Sequence, residues 1–148
     1  MTIDRIDWHS GGDYPEDLPH ENGGTHIGFY ISWILNNYLH GELHRESETD
    51  LKHVKKVINR EITGLDFLIS QCDEKFWDED MNEEGNAFTE FYYSNEKTSR
   101  FYDDYSNTLA QKLESIYHVE NTWNNYDKLA KVIDKRYSDW KNNMNKKW

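Results

Sequence analysis

Trp123-Asn124-Asn125-Tyr126-Asp127-Lys128-Leu129-Ala130-Lys131-Val132-Ile133-Asp134-Lys135-Arg136-Tyr137-Ser138-Asp139-Trp140 is the stretch whose reading decides the fold. Its apolar members Trp123, Tyr126, Leu129, Ala130, Ile133, Tyr137 and Trp140 recur every three or four residues. That is the period of one face of an α-helix. The spacing predicts a long amphipathic helix over about 121–143, docked by its aromatic face.

The same period appears further upstream. Thr25 is suited to cap a helix over 25–39 with Ile27, Tyr30, Ile31, Ile34, Leu35 and Tyr38 on one side, closed by Gly41. A helix over 48–60 turns Leu51, Val54 and Ile58 inward, and Thr63 caps another over 63–75 that buries Leu65, Leu68, Ile69 and Cys72. Asn82 with Glu83 and Glu84 starts a helix over 82–93, its acids at the positive end of the dipole and Ala87, Phe88, Phe91 and Tyr92 on its apolar face. A short helix is expected around Arg100 to Ala110. Leu113 to Val119 reads as loop, with a strand as the alternative. The opening from Asp7 to Pro19 has no helical period; Gly11-Gly12-Asp13 and two prolines mark an ordered loop in which Trp8, Tyr14 and Leu18 pack. The expected fold is mainly α: a single compact domain over 1–148 of about five helices, with no sheet and no repeats.

Composition narrows the function classes. Aromatic residues make up 15% of the 148, so the core should be built from rings whose polar tips need partners. A formal net charge of −11 argues against nucleic acid as the main partner and favours a basic protein. Cys72 is the only cysteine, which excludes an intramolecular disulfide and suits a reducing compartment. Asp4, Arg5 and Asp7 near the N-terminus do not resemble a signal peptide, and Ile27 to Leu35 is too short to span a bilayer. A cytoplasmic protein away from membranes is expected.

Several constellations could carry chemistry. Asp73 to Glu84 holds seven acids and one base, a local charge of −6. As an EF-hand it fails in both registers: starting at Asp80 puts Phe91 at the twelfth position, and starting at Asp78 puts Glu83 where Gly belongs. His40 and His44 have the spacing of a helical zinc pair, but Gly41 stands where a metalloprotease carries Glu, so exposed histidines at a helix end are expected instead. His9, His26 and His118 lie beside apolar or aromatic residues. They are expected to be buried and hydrogen-bonded to carboxylates or backbone; the sharper alternative is a metal-dependent hydrolase using His9, Asp13, His26 and the Glu84 region. Ser10 lacks a nucleophile-elbow pattern, and Gly11-Gly12 and Gly23-Gly24 match no phosphate loop.

Trp8-His9, Gly11-Gly12-Asp13, Pro15, Asp17-Leu18-Pro19, Glu21 and Gly24-Thr25-His26-Ile27-Gly28 resemble the opening of a family of small bacterial proteins known only as a domain of unknown function. The likeness continues through Arg60-Glu61-Ile62-Thr63, Cys72-Asp73-Glu74-Lys75-Phe76, Asn82 to Phe88 and Tyr117 to Trp123. It brings no catalytic residues with it. By analogy, small acidic proteins of this kind resemble immunity proteins that neutralise bacterial toxins. The function expected is therefore that of a binding protein rather than an enzyme. It would occlude a cognate toxin or other basic protein with Trp77, Asp78, Glu79, Asp80, Glu83 and Glu84, without metal or cofactor. The charges would steer encounter and Trp77 would anchor the complex.

Overall fold

The computed structural model describes residues 1–146. In chain order these form β1 (Thr2–Arg5), α1 (Asp7–Ser10), α2 (Thr25–Asn36), α3 (Glu48–Ile58), α4 (Gly64–Gln71), β2 (Lys75–Trp77), α5 (Glu83–Thr89), α6 (Phe101–Tyr105) and α7 (Trp123–Lys146). Short 3-10 turns fill several connections, and π-helical turns prolong α5 and α6 over Glu90–Ser94 and Ser106–Ala110. The fold is mainly α, as the periodicity implies.

α2 is the axis. Every residue from Thr25 to Leu35 is buried, so the helix is enclosed on all sides rather than amphipathic. α4 crosses it at backbone contact: a Cβ added at Gly28 would lie 2.5 Å from the Leu65 amide nitrogen, and one at Gly64 would run into the Gly28 carbonyl. Thr63 and Asp66 start α4 with a reciprocal capping box at 3.1 and 3.0 Å. α7 docks through buried Tyr126, Leu129 and Ile133, while Asp134 accepts a 2.8 Å hydrogen bond from the Trp33 indole. Rings dominate the interior: Tyr30, Trp33, Phe76, Phe88, Tyr92, Phe101 and Tyr105 are all buried.

Several expectations need correction. A sheet exists: β1 and β2 pair antiparallel, with Asp4 opposite Phe76 and Arg5 opposite Lys75. Strands of four and three residues are too short for alternation to register, and the pairing joins distant parts of the chain. The N-terminal loop likewise contains one helical turn, α1, and Trp8 on it is 59% exposed instead of packed. α2 stops at Asn36 rather than 39, because Asn36 and Asn37 turn their side-chain amides back onto the Ser32 and Trp33 carbonyls and Tyr38 takes a left-handed φ of 55°. α4 stops at Gln71 because Asp73 and Glu74 are left-handed too. Leu51 and Ile69 face outward, since α3 buries Val54 and Val57 and α4 buries Leu65, Phe67 and Leu68. Ala87 on α5 is exposed beside buried Phe88, and the π-helical turn that follows rotates the apolar face, so Tyr92 and Tyr93 are buried while Phe91 is exposed. Residues 113–119 form no strand; Ile116–His118 is a single 3-10 turn.

Candidate metal centre

The most unusual chemistry gathers around Asp4, which is 2% exposed. β1 carries it inward, and the chain then turns at buried Ile6 into α1, whose single turn aims His9 back at it. Ile6 packs so tightly on the start of α2 that a Cβ at Gly24 would lie 2.6 Å from its Cγ1. The glycine therefore lets α1 reach the first turn of α2, where His26 is also buried. α6 and the π-helical turn before it supply Tyr102 and Tyr93, and the Ile116–His118 turn supplies Tyr117.

Five donors converge on the two carboxylate oxygens. Oδ1 lies 2.7 Å from His9 Nε2 and accepts from the Arg5 amide at 2.8 Å. Oδ2 lies 3.2 Å from His26 Nε2 and accepts from the Tyr93 and Tyr102 hydroxyls at 2.5 Å each. A carboxylate offers about four lone-pair positions, so the set is oversubscribed. The Arg5 guanidinium does not neutralise Asp4, because it clamps Asp7. Among the described residues the groups positioned to balance this charge are His9 and His26.

Protonation follows from burial. Burial alone would raise the Asp4 pKa, but hydrogen bonds from His26 and His9, and their charge, hold it well below the ordinary carboxylate range. At His26 burial outweighs the pull of Asp4, so its pKa lies below the usual value. Burial first, and then the neighbouring carboxylate, push the Tyr93 and Tyr102 hydroxyls upward.

The donor set, two imidazoles and a carboxylate with ligand atoms within 4.8 Å of one another, is one that can hold a divalent ion. Zinc at about 2.0–2.2 Å from nitrogen and oxygen ligands separates tetrahedral ligand atoms by roughly 3.3 Å. Tyr102 Oη lies 3.4 Å from His9 Nε2 and 3.5 Å from His26 Nε2, and His26 Nε2 lies 3.2 Å from Asp4. His9 Nε2 at 2.7 Å from Oδ1 and Tyr102 Oη at 2.5 Å from Oδ2 are hydrogen-bond separations, so the carboxylate must draw back from both to admit an ion. Both imidazoles present Nε2 inward, and His9 Nδ1 is held by the Tyr117 hydroxyl at 2.7 Å, the outer contact that fixes a ligating ring.

The other residues singled out lie elsewhere. Asp13 is exposed, and Glu84 bonds Tyr137 and Lys141 of α7, so neither joins His9 and His26. His118 pairs with Asp17 at 3.0 Å. His40 and His44 are buried, contrary to the expected exposure. His40 pairs with Met81 in an isolated antiparallel bridge, and His44 binds Asp80 at 2.8 Å. Cys72 also leans on Asp80, at 3.7 Å; burial and that carboxylate push its thiol pKa up, which excludes a ready thiolate. The acidic run is not one open face. Asp80 is buried and caps the Trp77 amide, Asp78 pairs with the N-terminal amine at 2.7 Å, and Trp77, Glu79 and Glu83 are exposed.

Sequence reading paired the two histidines but missed their carboxylate. Asp4 counted only as an N-terminal charge, although its place between Ile3 and Ile6, five residues before His9, was the available signal. Tyr93 and Tyr102 sit among other aromatics and carry no distinguishing pattern.

No curated protein and no solved structure matches the chain. One family model, described as Domain of unknown function (DUF7832), matches residues 2–119. That span includes Asp4, His9, His26, Tyr93, Tyr102 and Tyr117, and the chain belongs to this family.

Proposed function

We propose that the chain is a small metal-dependent hydrolase whose divalent ion is held by Asp4, His9 and His26, with Tyr102 at the fourth position. The observation that carries this reading is the convergence of those four groups, with the ligand atoms of Asp4, His9 and His26 within 4.8 Å of one another, around a buried carboxylate that has no Lys or Arg partner among the described residues. Two histidines and one carboxylate suit zinc or another divalent transition ion. Tyr102 is 36% exposed, so it is the ligand placed to yield to water. The ion would lower the pKa of that water and polarise an acyl or phosphoryl substrate, while Tyr117 keeps His9 oriented. The setting proposed is cytoplasmic. The test is elemental analysis of protein purified without chelator, followed by assay of the reloaded protein on p-nitrophenyl esters and phosphates. About one equivalent of metal, absent from Asp4→Asn and His26→Ala, together with chelator-sensitive hydrolysis, is expected. Wild-type protein that neither carries metal nor gains thermal stability from added zinc, manganese or iron would overturn the reading.

A second reading is favoured by one feature, the exposure of Trp77 beside Asp78, Glu79 and Glu83 on a chain of net charge −11. On that reading the chain is an immunity protein that neutralises a basic toxin by occluding it, with Trp77 as anchor.

A further inference from the structure

The far end of α2 opens on a groove of about 730 Å3 that shares no residue with the Asp4 centre. Its floor is apolar, formed by Leu51, Val54 and Ile58 of α3, and Leu51 is 43% exposed there. Arg45 and Lys55 stand in its wall with Asn59 and Asn82, and among the described residues no carboxylate lines it. On a chain of net charge −11 that is a reversal of local sign. Arg5, Arg60 and Arg136 each clamp an aspartate, whereas Arg45 spends one amino group on the His40 carbonyl at 2.6 Å and has no acidic partner among the described residues. Lys55, exposed on α3, has none either.

Two further features mark the groove as more than a gap between helices. His40 lines it while only 4% exposed, and its Nδ1 is buried without a hydrogen-bond partner among the described residues. Tyr38, at the rim, is held in the left-handed region and leaves its ring 67% exposed. Pockets of this size with an apolar floor and a few converging polar groups hold small molecules.

We infer that this groove binds a small organic anion, its apolar body lying on Leu51, Val54 and Ile58 beside the Tyr38 ring and its carboxylate or phosphate-monoester head held by Arg45 and Lys55. The guanidinium supplies a planar fork for either head, and the ammonium adds a point charge.

Calorimetric titration of the whole protein with 4-phenylbutyrate, phenyl phosphate, 4-phenylbutanol and inorganic phosphate tests the inference. Saturable binding of at least one of the two organic anions is expected, and their relative affinity identifies the preferred head. Lys55→Met should weaken that binding about fivefold or more, with the melting temperature unchanged because Lys55 is exposed. Leu51→Asp should abolish it. Inorganic phosphate binding as tightly as the organic anions would overturn the inference, since a bare patch of charge would suffice. So would equal affinity for the neutral alcohol, indifference to Lys55→Met, or no saturable binding up to concentrations on the order of 10 mM.

Discussion

Replacing Asp4 by Asn in the presence of chelator measures what the centre costs the fold without an ion. The amide keeps the shape but retains one carbonyl oxygen and turns the other into a donor. If the amide nitrogen takes the place of Oδ2, His26, Tyr93 and Tyr102 lose their acceptor; if it takes the place of Oδ1, His9 and the Arg5 amide do. Hydrogen bonds to a charged group contribute about 1.5–3 kcal/mol each, and two or three are lost, partly recovered as the hydroxyls rotate. The expected destabilisation is about 3–6 kcal/mol, a large share of the roughly 5–15 kcal/mol that holds a domain together. Urea unfolding followed by tryptophan fluorescence should show the midpoint falling by about 2 M. Tyr93→Phe is the sharper companion. It removes one donor from an oversubscribed carboxylate, so its cost should stay below about 1 kcal/mol although the hydroxyl is buried. An Asp4→Asn loss under about 1 kcal/mol, or a Tyr93→Phe loss as large as that of Asp4→Asn, would refute the count of donors against lone pairs.

Acid should destabilise the chain in two stages, visible as a falling melting temperature. His26 and His40 have folded pKa values below the ordinary 6.5, the latter at about 4 because of burial, Arg45 and His44, so the unfolded chain takes up their protons first and stability declines below about pH 6.5. Asp4 is depressed as well, so its contribution is present above about pH 4 and fades as pH falls towards its folded value. Gly64→Ala should cost at least about 3 kcal/mol, because the new methyl meets the Gly28 backbone instead of a movable side chain. Ile133→Ala should cost about 2–5 kcal/mol, and Trp123→Ala less than that, since Ile133 is fully buried and Trp123 only half so. Cys72 should react with iodoacetamide only on unfolding, with fast labelling of the native protein as the contrary result. Should a basic toxin partner exist, Glu79→Lys with Glu83→Lys should slow association about tenfold at low salt and Trp77→Ala should speed dissociation; unchanged kinetics in both would remove that face from the interface.

The parts of this fold that can be read from residue spacing are those whose side chains repeat on one element. Trp123 to Trp140 shows its face because α7 presents one stripe to the core for more than four turns. Thr63 and Asn82 announce α4 and α5 because a cap is a contact across three residues. The misreadings share the opposite property. Spacing turns Leu51 and Ile69 inward on helices of eleven and eight residues, where tertiary packing chooses between adjacent faces that look alike in the sequence. The π-helical turn at Glu90–Ser94 changes the angular step itself, so a face extrapolated at 3.6 residues per turn lands on Phe91 and misses Tyr93.

The Asp4 centre lies at the far end of that scale. Its members come from β1, α1, α2, α6 and two turns, separated by 98 residues for the contact of Tyr102 with Asp4 and 108 for that of Tyr117 with His9. No local rule links an aspartate in a four-residue strand to a tyrosine in a five-residue helix. What the sequence did hold was two histidines beside glycine pairs, and the structure shows why the glycines matter. Gly24 lets Ile6 sit against α2, and that approach brings His9 within reach of the carboxylate that His26 also faces. Gly24→Ala should therefore do more than destabilise. By lifting α1 away from α2 it should separate His9 from His26 and so weaken the metal binding proposed for the centre even where the protein still folds. Gly12→Ala, in the exposed loop at φ 61°, supplies the control: its backbone is strained, but nothing lies within 4 Å of the added methyl. Equal metal affinity in the two variants would show that the centre does not depend on the contact between Ile6 and Gly24.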